Sequence, residues 1–185
     1  MLVSDDKGNA KTYGQNDALN RNTMETFADG TTNVYTYDRD SNLKTRTDEN
    51  GSVFTYTYDG INRRIQTSIA RAVTIEGTTL QTFEYDGLSR PTRATDNNTP
   101  TGAGDDSEVT KLYDSLSRQI EEQQDTRVVT SDYDGVGNRI RVTYPNSLTY
   151  PTGRDITSTF DALERVKTIA GVVYSYIGPG RLLER

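Results

Sequence analysis

A seven-residue pattern recurs along the chain: an aromatic, an aspartate, two turn-compatible residues that usually include an aliphatic, a small or amide residue, arginine or asparagine, and one further residue. It reads YDRDSNL from Tyr37, YDGINRR from Tyr58, YDGLSRP from Tyr85, YDSLSRQ from Tyr113, YDGVGNR from Tyr133 and FDALERV from Phe160. Two degenerate copies flank these, NDALNRN from Asn16 and YIGPGRL from Tyr176. The anchors 16, 37, 58, 85, 113, 133, 160 and 176 are 21, 21, 27, 28, 20, 27 and 16 residues apart, a base period near 21 with insertions. A period of this size means stacked copies of one supersecondary unit, each too small to bury its own face alone.

Within a unit the residues before the anchor alternate. Phe54, Tyr56 and Tyr58 share one face, as do Tyr35 with Tyr37, Phe83 with Tyr85, and Val172 with Tyr174 and Tyr176, while threonine and glutamate take the other face. The anchor aspartate is placed to reverse the chain, because its carboxylate accepts backbone N–H groups one or two residues on. A positive φ is expected where Asn20, Ser41, Asn62, Ser89, Ser117, Gly137, Glu164 and Gly180 align; glycine and asparagine tolerate it and Glu164 does so with difficulty. The recurrent aliphatics Leu19, Ile61, Leu88, Leu116, Val136 and Leu163 are expected to fold under the turn as plugs. The next position, Arg21, Asn42, Arg63, Arg90, Arg118, Asn138, Arg165 and Arg181, offers a tie to the turn acid or to a neighbouring tyrosine. Between units, Asp29-Gly30, Asn50-Gly51, Glu76-Gly77 and Ala170-Gly171 predict further hairpins, the first two of type I′. The expected fold is all-β: tandem hairpins in one array over 1–185, forming a twisted antiparallel ribbon, a partial shell or solenoid.

Leu, Ile, Val and Phe supply just under a fifth of the 185 residues and the net charge is −6, a balance that borders on disorder. Twelve tyrosines alternating with threonine argue for order instead. The chain has no cysteine and no histidine. Thiol nucleophiles, imidazole acid–base chemistry and Cys/His zinc sites are thereby excluded. The acidic balance argues against nucleic acid as a partner. The start MLVSDDKGN does not read as a signal peptide, and no apolar run reaches membrane length.

The motifs YTYDGINRRI, VTSDYDGVGNRI and YSYIGPGRLLER resemble the YD repeats of the RHS family, and the resemblance extends over nearly the entire chain. It implies a long spiralling β-ribbon. In bacterial polymorphic toxins and toxin-complex proteins such ribbons enclose a toxic C-terminal segment, and in animal teneurins a similar shell serves adhesion. The family's core segment with its DPxG motif has no match here, and the sequence starts and stops within repeats, so it reads as part of a larger array. The implied setting is an exported bacterial protein, secreted or at the cell surface.

A structural reading of the motif makes Tyr37, Asp38, Tyr58, Asp59, Arg63, Tyr85, Asp86, Arg90, Tyr113, Asp114, Arg118, Tyr133, Asp134, Phe160, Asp161 and Arg165 a ladder of rungs, caps and ties. A functional reading has the same Tyr, Asp and Arg binding sugars by stacking and hydrogen bonding. The acidic insertion Asp96 to Glu108 lacks the spacing of a calcium loop and reads first as a flexible insertion between hairpins, with a calcium-dependent surface module as a third reading of the chain. The sequons at Asn50 and Asn97 fall in predicted turns and are candidates for glycosylation. Carboxylates spread at repeat spacing do not converge as a catalytic site must, so no catalytic residue, metal or cofactor is expected. The function expected is a non-catalytic wall of an RHS-type shell, its partners the rest of its own polypeptide or further copies. The alternative is an extracellular fibre or adhesin that binds cell-surface carbohydrate.

Overall fold

A computed structural model of the chain describes residues 2–4, 10–72, 77–98, 106–147, 152–177 and 181–184. No helix occurs among them, as the alternating pattern requires. Two compact units are present, Met1–Ser107 and Glu108–Arg185. In the first, β1 (Leu2–Ser4), β2 (Ala10–Asn16), β3 (Asn22–Phe27), β4 (Thr32–Tyr37), β5 (Leu43–Thr47), β6 (Val53–Tyr58), β7 (Arg64–Ala70), β8 (Thr78–Tyr85) and β9 (Pro91–Asn98) form an antiparallel meander in which each strand pairs with the next. In the second, the same meander runs through β10 (Ser107–Tyr113), β11 (Gln119–Gln124), β12 (Arg127–Tyr133), β13 (Arg139–Tyr144), β14 (Arg154–Phe160), β15 (Val166–Ile169) and β16 (Val172–Val173). A separate hairpin, β17 (Ser175–Ile177) with β18 (Arg181–Glu184), follows. The all-β hairpin array expected from the repeat is what forms. The run from Val172 to Tyr176 is not one strand, however: it divides at Tyr174, whose N–H bonds to the Lys167 carbonyl at 2.9 Å.

Each unit is a sheet with almost no core. Val142 is the only buried apolar side chain among the described residues, and the other buried ones are Glu25, Asn33, Ser52 and Thr67. The two faces divide the remaining work. On one face of the first unit, cations interleave with rings: Lys11 over Phe27 at 5.1 Å, Arg46 over Phe54 at 5.4 Å, Arg64 over Phe83 at 4.9 Å. There the buried Glu25 accepts from Lys11 Nζ at 2.6 Å and from the Tyr35 hydroxyl at 2.9 Å. Burial, and then that bond to Glu25, pushes the Tyr35 phenol up to about 12. Glutamate is therefore not confined to the threonine face. On the opposite face threonine hydroxyls pair across strands, Thr36 with Thr45 at 2.6 Å and Thr82 with Thr95 at 2.5 Å.

The inter-unit turns differ from the type I′ expectation. At Asp29-Gly30 and Asn50-Gly51 only the glycine has positive φ, +85° and +83°. The N–H of Gly30 bonds to the Phe27 carbonyl, and the N–H of Phe27 to the Thr31 carbonyl, a three-residue loop made of a type I turn and one left-handed residue. Gly51 repeats this between Asp48 and Ser52. Asp48 selects the longer loop by accepting from the N–H groups of Asn50 and Ser52 with one carboxylate oxygen, which fixes the type I turn before the glycine is reached. Among the predicted turns whose two central residues are both described, Ala170-Gly171 alone has positive φ at both. Glu76 lies outside the described residues.

Candidate functional site

The anchor aspartates build one repeated device. Asp59 accepts from the N–H groups of Ile61 and Arg63 on Oδ1, both at 3.0 Å, and from Arg63 Nε on Oδ2 at 2.7 Å. Its own N–H reaches the Arg63 carbonyl at 2.9 Å, and its carbonyl receives the N–H of Asn62 at 3.1 Å. Asp17, Asp86, Asp114 and Asp161 repeat the arrangement with Arg21, Arg90, Arg118 and Arg165, and Asp38 and Asp134 with Asn42 and Asn138. Among the described residues the one that closes each turn is left-handed: Asn20, Ser41, Asn62, Ser89, Ser117, Gly137 and Glu164 have φ between +59° and +104°, while Gly180 lies outside the described residues. Glu164, at +59°, adopts it despite the cost of a Cβ there. Replacing Glu164 by asparagine is expected to stabilise the second unit by about 0.5–1 kcal/mol, read as a higher denaturation midpoint, because asparagine is the non-glycine residue best suited to this conformation.

The tie makes both contacts expected of it at once, and two more. Arg63 pairs with Asp59, lies over the Tyr85 ring of the next unit with its guanidinium carbon 4.7 Å from the ring centre, and donates through Nη1 to the Asp86 carbonyl at 3.1 Å and to Ser89 Oγ at 3.2 Å. Arg21 does the same to Tyr37, Asp38 and Ser41. Arg118 and Arg165 lie over Tyr133 and Tyr176. Five anchor tyrosines complete the junction by donating the hydroxyl to the carbonyl just after the preceding tie: Tyr37 to Asn22, Tyr58 to Leu43, Tyr85 to Arg64, Tyr133 to Gln119 and Tyr176 to Val166, at 2.7–2.9 Å. That carbonyl belongs to a β-bulge which recurs opposite every anchor, including Tyr113 and Phe160.

Two partners were missed in the sequence, and both carried a signal. Ser41 and Ser89 hold left-handed positions because their hydroxyls receive the preceding arginine. Where the tie shortens to Asn42, the closing residue becomes Asn62, and the two side chains bond at 2.8 Å. Pairing each tie with the closing residue of the following unit, rather than of its own, reveals the match.

The aliphatics do not plug the turns. Leu19, Ile61, Leu88, Leu116, Val136 and Leu163 are 60–68% exposed. The N–H of each is taken by the turn carboxylate, and its side chain is left on the outside of the turn. Ile61→Ser is therefore expected to change stability by less than about 0.5 kcal/mol, whereas a buried plug would cost about 2–5 kcal/mol; urea midpoints of the two proteins decide between them.

The groups that a sugar site would need are engaged with one another. The turn carboxylates sit below the ordinary carboxylate range. In Asp17 and Asp161 the arginine hydrogen bond is the leading cause, in Asp38 the Asn42 amide, and in Asp59 the Arg63 N–H. In Asp86, Asp114 and Asp134 partial desolvation is the largest single influence and pushes upward, but the hydrogen bonds together outweigh it. Groups shifted this way are poor general acids at neutral pH. No cluster of three or more acidic, His or Cys side chains among the described residues is arranged to hold a metal. Asn50 is exposed in its turn, but Asn97 is not in a turn: it lies in β9 opposite Leu80, half-buried. Asp96 to Asn98 end β9 and Ser107 opens β10, while residues 99–105 of the acidic insertion lie outside the described residues. A cleft of about 730 Å³ lies between the Asp134 and Asp161 turns, with Asn138, Phe160 and Glu164 in its lining.

Meander, bulge, turn acid and tie together define a YD-type β-hairpin repeat protein. The RHS repeat model matches residues 37–74, the segment that holds the Tyr37 and Tyr58 anchors. A search of curated proteins returns no match. Among solved structures the chain is similar to TcdB2-TccC3-TEV (TM-score 0.71, 14% identity, 94% of this chain and 11% of that one). It is also similar to a mutant Tc holotoxin pore of Photorhabdus luminescens (0.67, 18%, 98% and 11%) and to TcdB2-TccC3 without its hypervariable C-terminal region (0.66, 18%, 85% and 9%). The chain thus spans about a tenth of the length of the proteins it matches.

Proposed function

We propose that the chain is non-catalytic wall material of an exported RHS-type shell that encloses a C-terminal effector segment. The observation that carries this reading is the junction. Arg21, Asn42, Arg63, Arg118 and Arg165 contact the following repeat, Tyr37, Tyr58, Tyr85, Tyr133 and Tyr176 bond back to the preceding one, and Val142 alone among the described residues is a buried apolar side chain. Such a unit gains stability from neighbours rather than from a core, which suits a sheet extended by many copies around a space. The matched Tc toxin structures support it through their fold, and one of them was solved without a hypervariable C-terminal region, the kind of segment a shell would hold.

The test is cryo-electron microscopy of the polypeptide from the whole parent reading frame, combined with limited proteolysis. A hollow particle whose C-terminal segment resists protease until the particle is opened is the expected result. Filaments that lengthen with concentration, or retention on a glycan array with no enclosed segment, replace the shell by the fibre or adhesin reading.

A further inference from the structure

At four junctions a guanidinium fills the space between successive units: Arg21, Arg63, Arg118 and Arg165 lie 4.5–4.7 Å from the ring centres of Tyr37, Tyr85, Tyr133 and Tyr176. Three of them also donate through Nη1 to the carbonyl of the next turn acid, Asp38, Asp86 or Asp134, at 3.1–3.2 Å. The junction between the Asp134 and Asp161 turns departs from this. Asn138 stands in the arginine position and Phe160 in the tyrosine position. The Asn138 amide reaches back to Asp134 Oδ2 at 3.0 Å and does not cross to the next turn, unlike Asn42, which bonds to Asn62. The Asp161 carbonyl receives the N–H of Glu164 and lacks the guanidinium donor that the carbonyls of Asp38, Asp86 and Asp134 have. The 730 Å³ cleft lies at this junction.

We propose that the cleft binds the guanidinium of an arginine side chain presented by another polypeptide segment, which restores in trans the contact that arginine makes in cis elsewhere in the array. The acceptors are those used at the filled junctions: Asp134 Oδ2, the Asp161 carbonyl, and the Glu164 carboxylate at the position where Ser41 and Ser89 accept from Arg21 and Arg63. Phe160 supplies a ring in the anchor position. Val136, Ile140 and Ala162 in the lining give an arginine's methylene stem an apolar surface, which a bare ion cannot use. Arg141 also lines the cleft but is paired with Asp155. Lysine is the wrong ligand, since a compact ammonium neither stacks flat on a ring nor presents a planar fork to two acceptors. The inference is independent of the shell reading, because it depends on a local vacancy in the ladder and holds for a wall, a fibre or an isolated array.

The test is an amide-shift NMR titration of the protein with Ac-Gly-Arg-Gly-NH2, its lysine counterpart and guanidinium chloride. Saturable shifts at Asn138, Ala162 and Glu164 are expected with the arginine peptide at a Kd on the order of 1 mM, and about tenfold weaker with lysine. Asn138→Arg, which supplies the guanidinium in cis, abolishes them. Should that variant misfold, Glu164→Asn, expected to fold at least as well as the parent, weakens the arginine peptide several-fold. Equal response to lysine, shifts that survive both variants, or no shift at all overturns the proposal. A response to guanidinium ion equal to that of the peptide assigns the cleft to the ion and overturns the arginine side chain.

Discussion

Replacing Tyr85 by alanine is expected to cost about 3 kcal/mol, against about 1 kcal/mol for Tyr85→Phe. The phenylalanine variant loses only the hydroxyl bond to the Arg64 carbonyl, while the ring beneath Arg63 remains. Alanine removes the ring as well, so Arg63 loses its platform, and a half-buried aromatic surface that helps hold two repeats together is gone. The loss should be local. In an array stabilised by nearest-neighbour contacts, amide hydrogen exchange speeds up in β7, β8 and β9 and stays near the parental rate in β3 and β4. A cost below about 1 kcal/mol for alanine, or protection lost evenly along the first unit, would sink the junction as the source of stability.

The repeat was legible in the sequence because period and chemistry coincide. An aspartate four residues before an arginine, after alternating aromatics, leaves the chain few options once its carboxylate has taken two backbone N–H groups. Those are local interactions, and local interactions are written in adjacent residues. What escaped depended on the adjacent unit. The serines at positive φ look like poor choices until Arg21 and Arg63 arrive from one repeat earlier to bond to Ser41 and Ser89. Ile61 and its counterparts suggest plugs by their hydrophobicity alone, whereas the turn carboxylate holds their N–H groups and leaves the side chains exposed. The type I′ expectation at Asn50-Gly51 failed for a similar reason. The dipeptide was weighed alone, whereas Asp48, two residues before Asn50, commits the loop to a three-residue form.

Acid should dismantle the array as a set. Seven turn carboxylates, Asp17, Asp38, Asp59, Asp86, Asp114, Asp134 and Asp161, are held below their ordinary value in the folded chain. In the unfolded chain they return to about 3.9. A group whose folded pKa is depressed contributes stability that is fully present above the unfolded pKa and is lost as pH falls through the folded one. Denaturation midpoints should therefore hold steady from neutrality to about pH 5, begin to fall near pH 4, and drop steeply below it, since unfolding in that window takes up protons at many turns together. Asp59→Asn separates the two roles of one such group. The asparagine oxygen can still accept the N–H groups of Ile61 and Arg63, but the amide turned toward Arg63 Nε sets donor against donor where the carboxylate accepted at 2.7 Å. The variant should be less stable than the parent at pH 7, approach it in strong acid, and take up one proton fewer on unfolding. A variant whose stability stays offset from the parent by the same amount at every pH would show that Asp59 acts through turn geometry alone and that its ionic tie to Arg63 contributes nothing to holding adjacent repeats together.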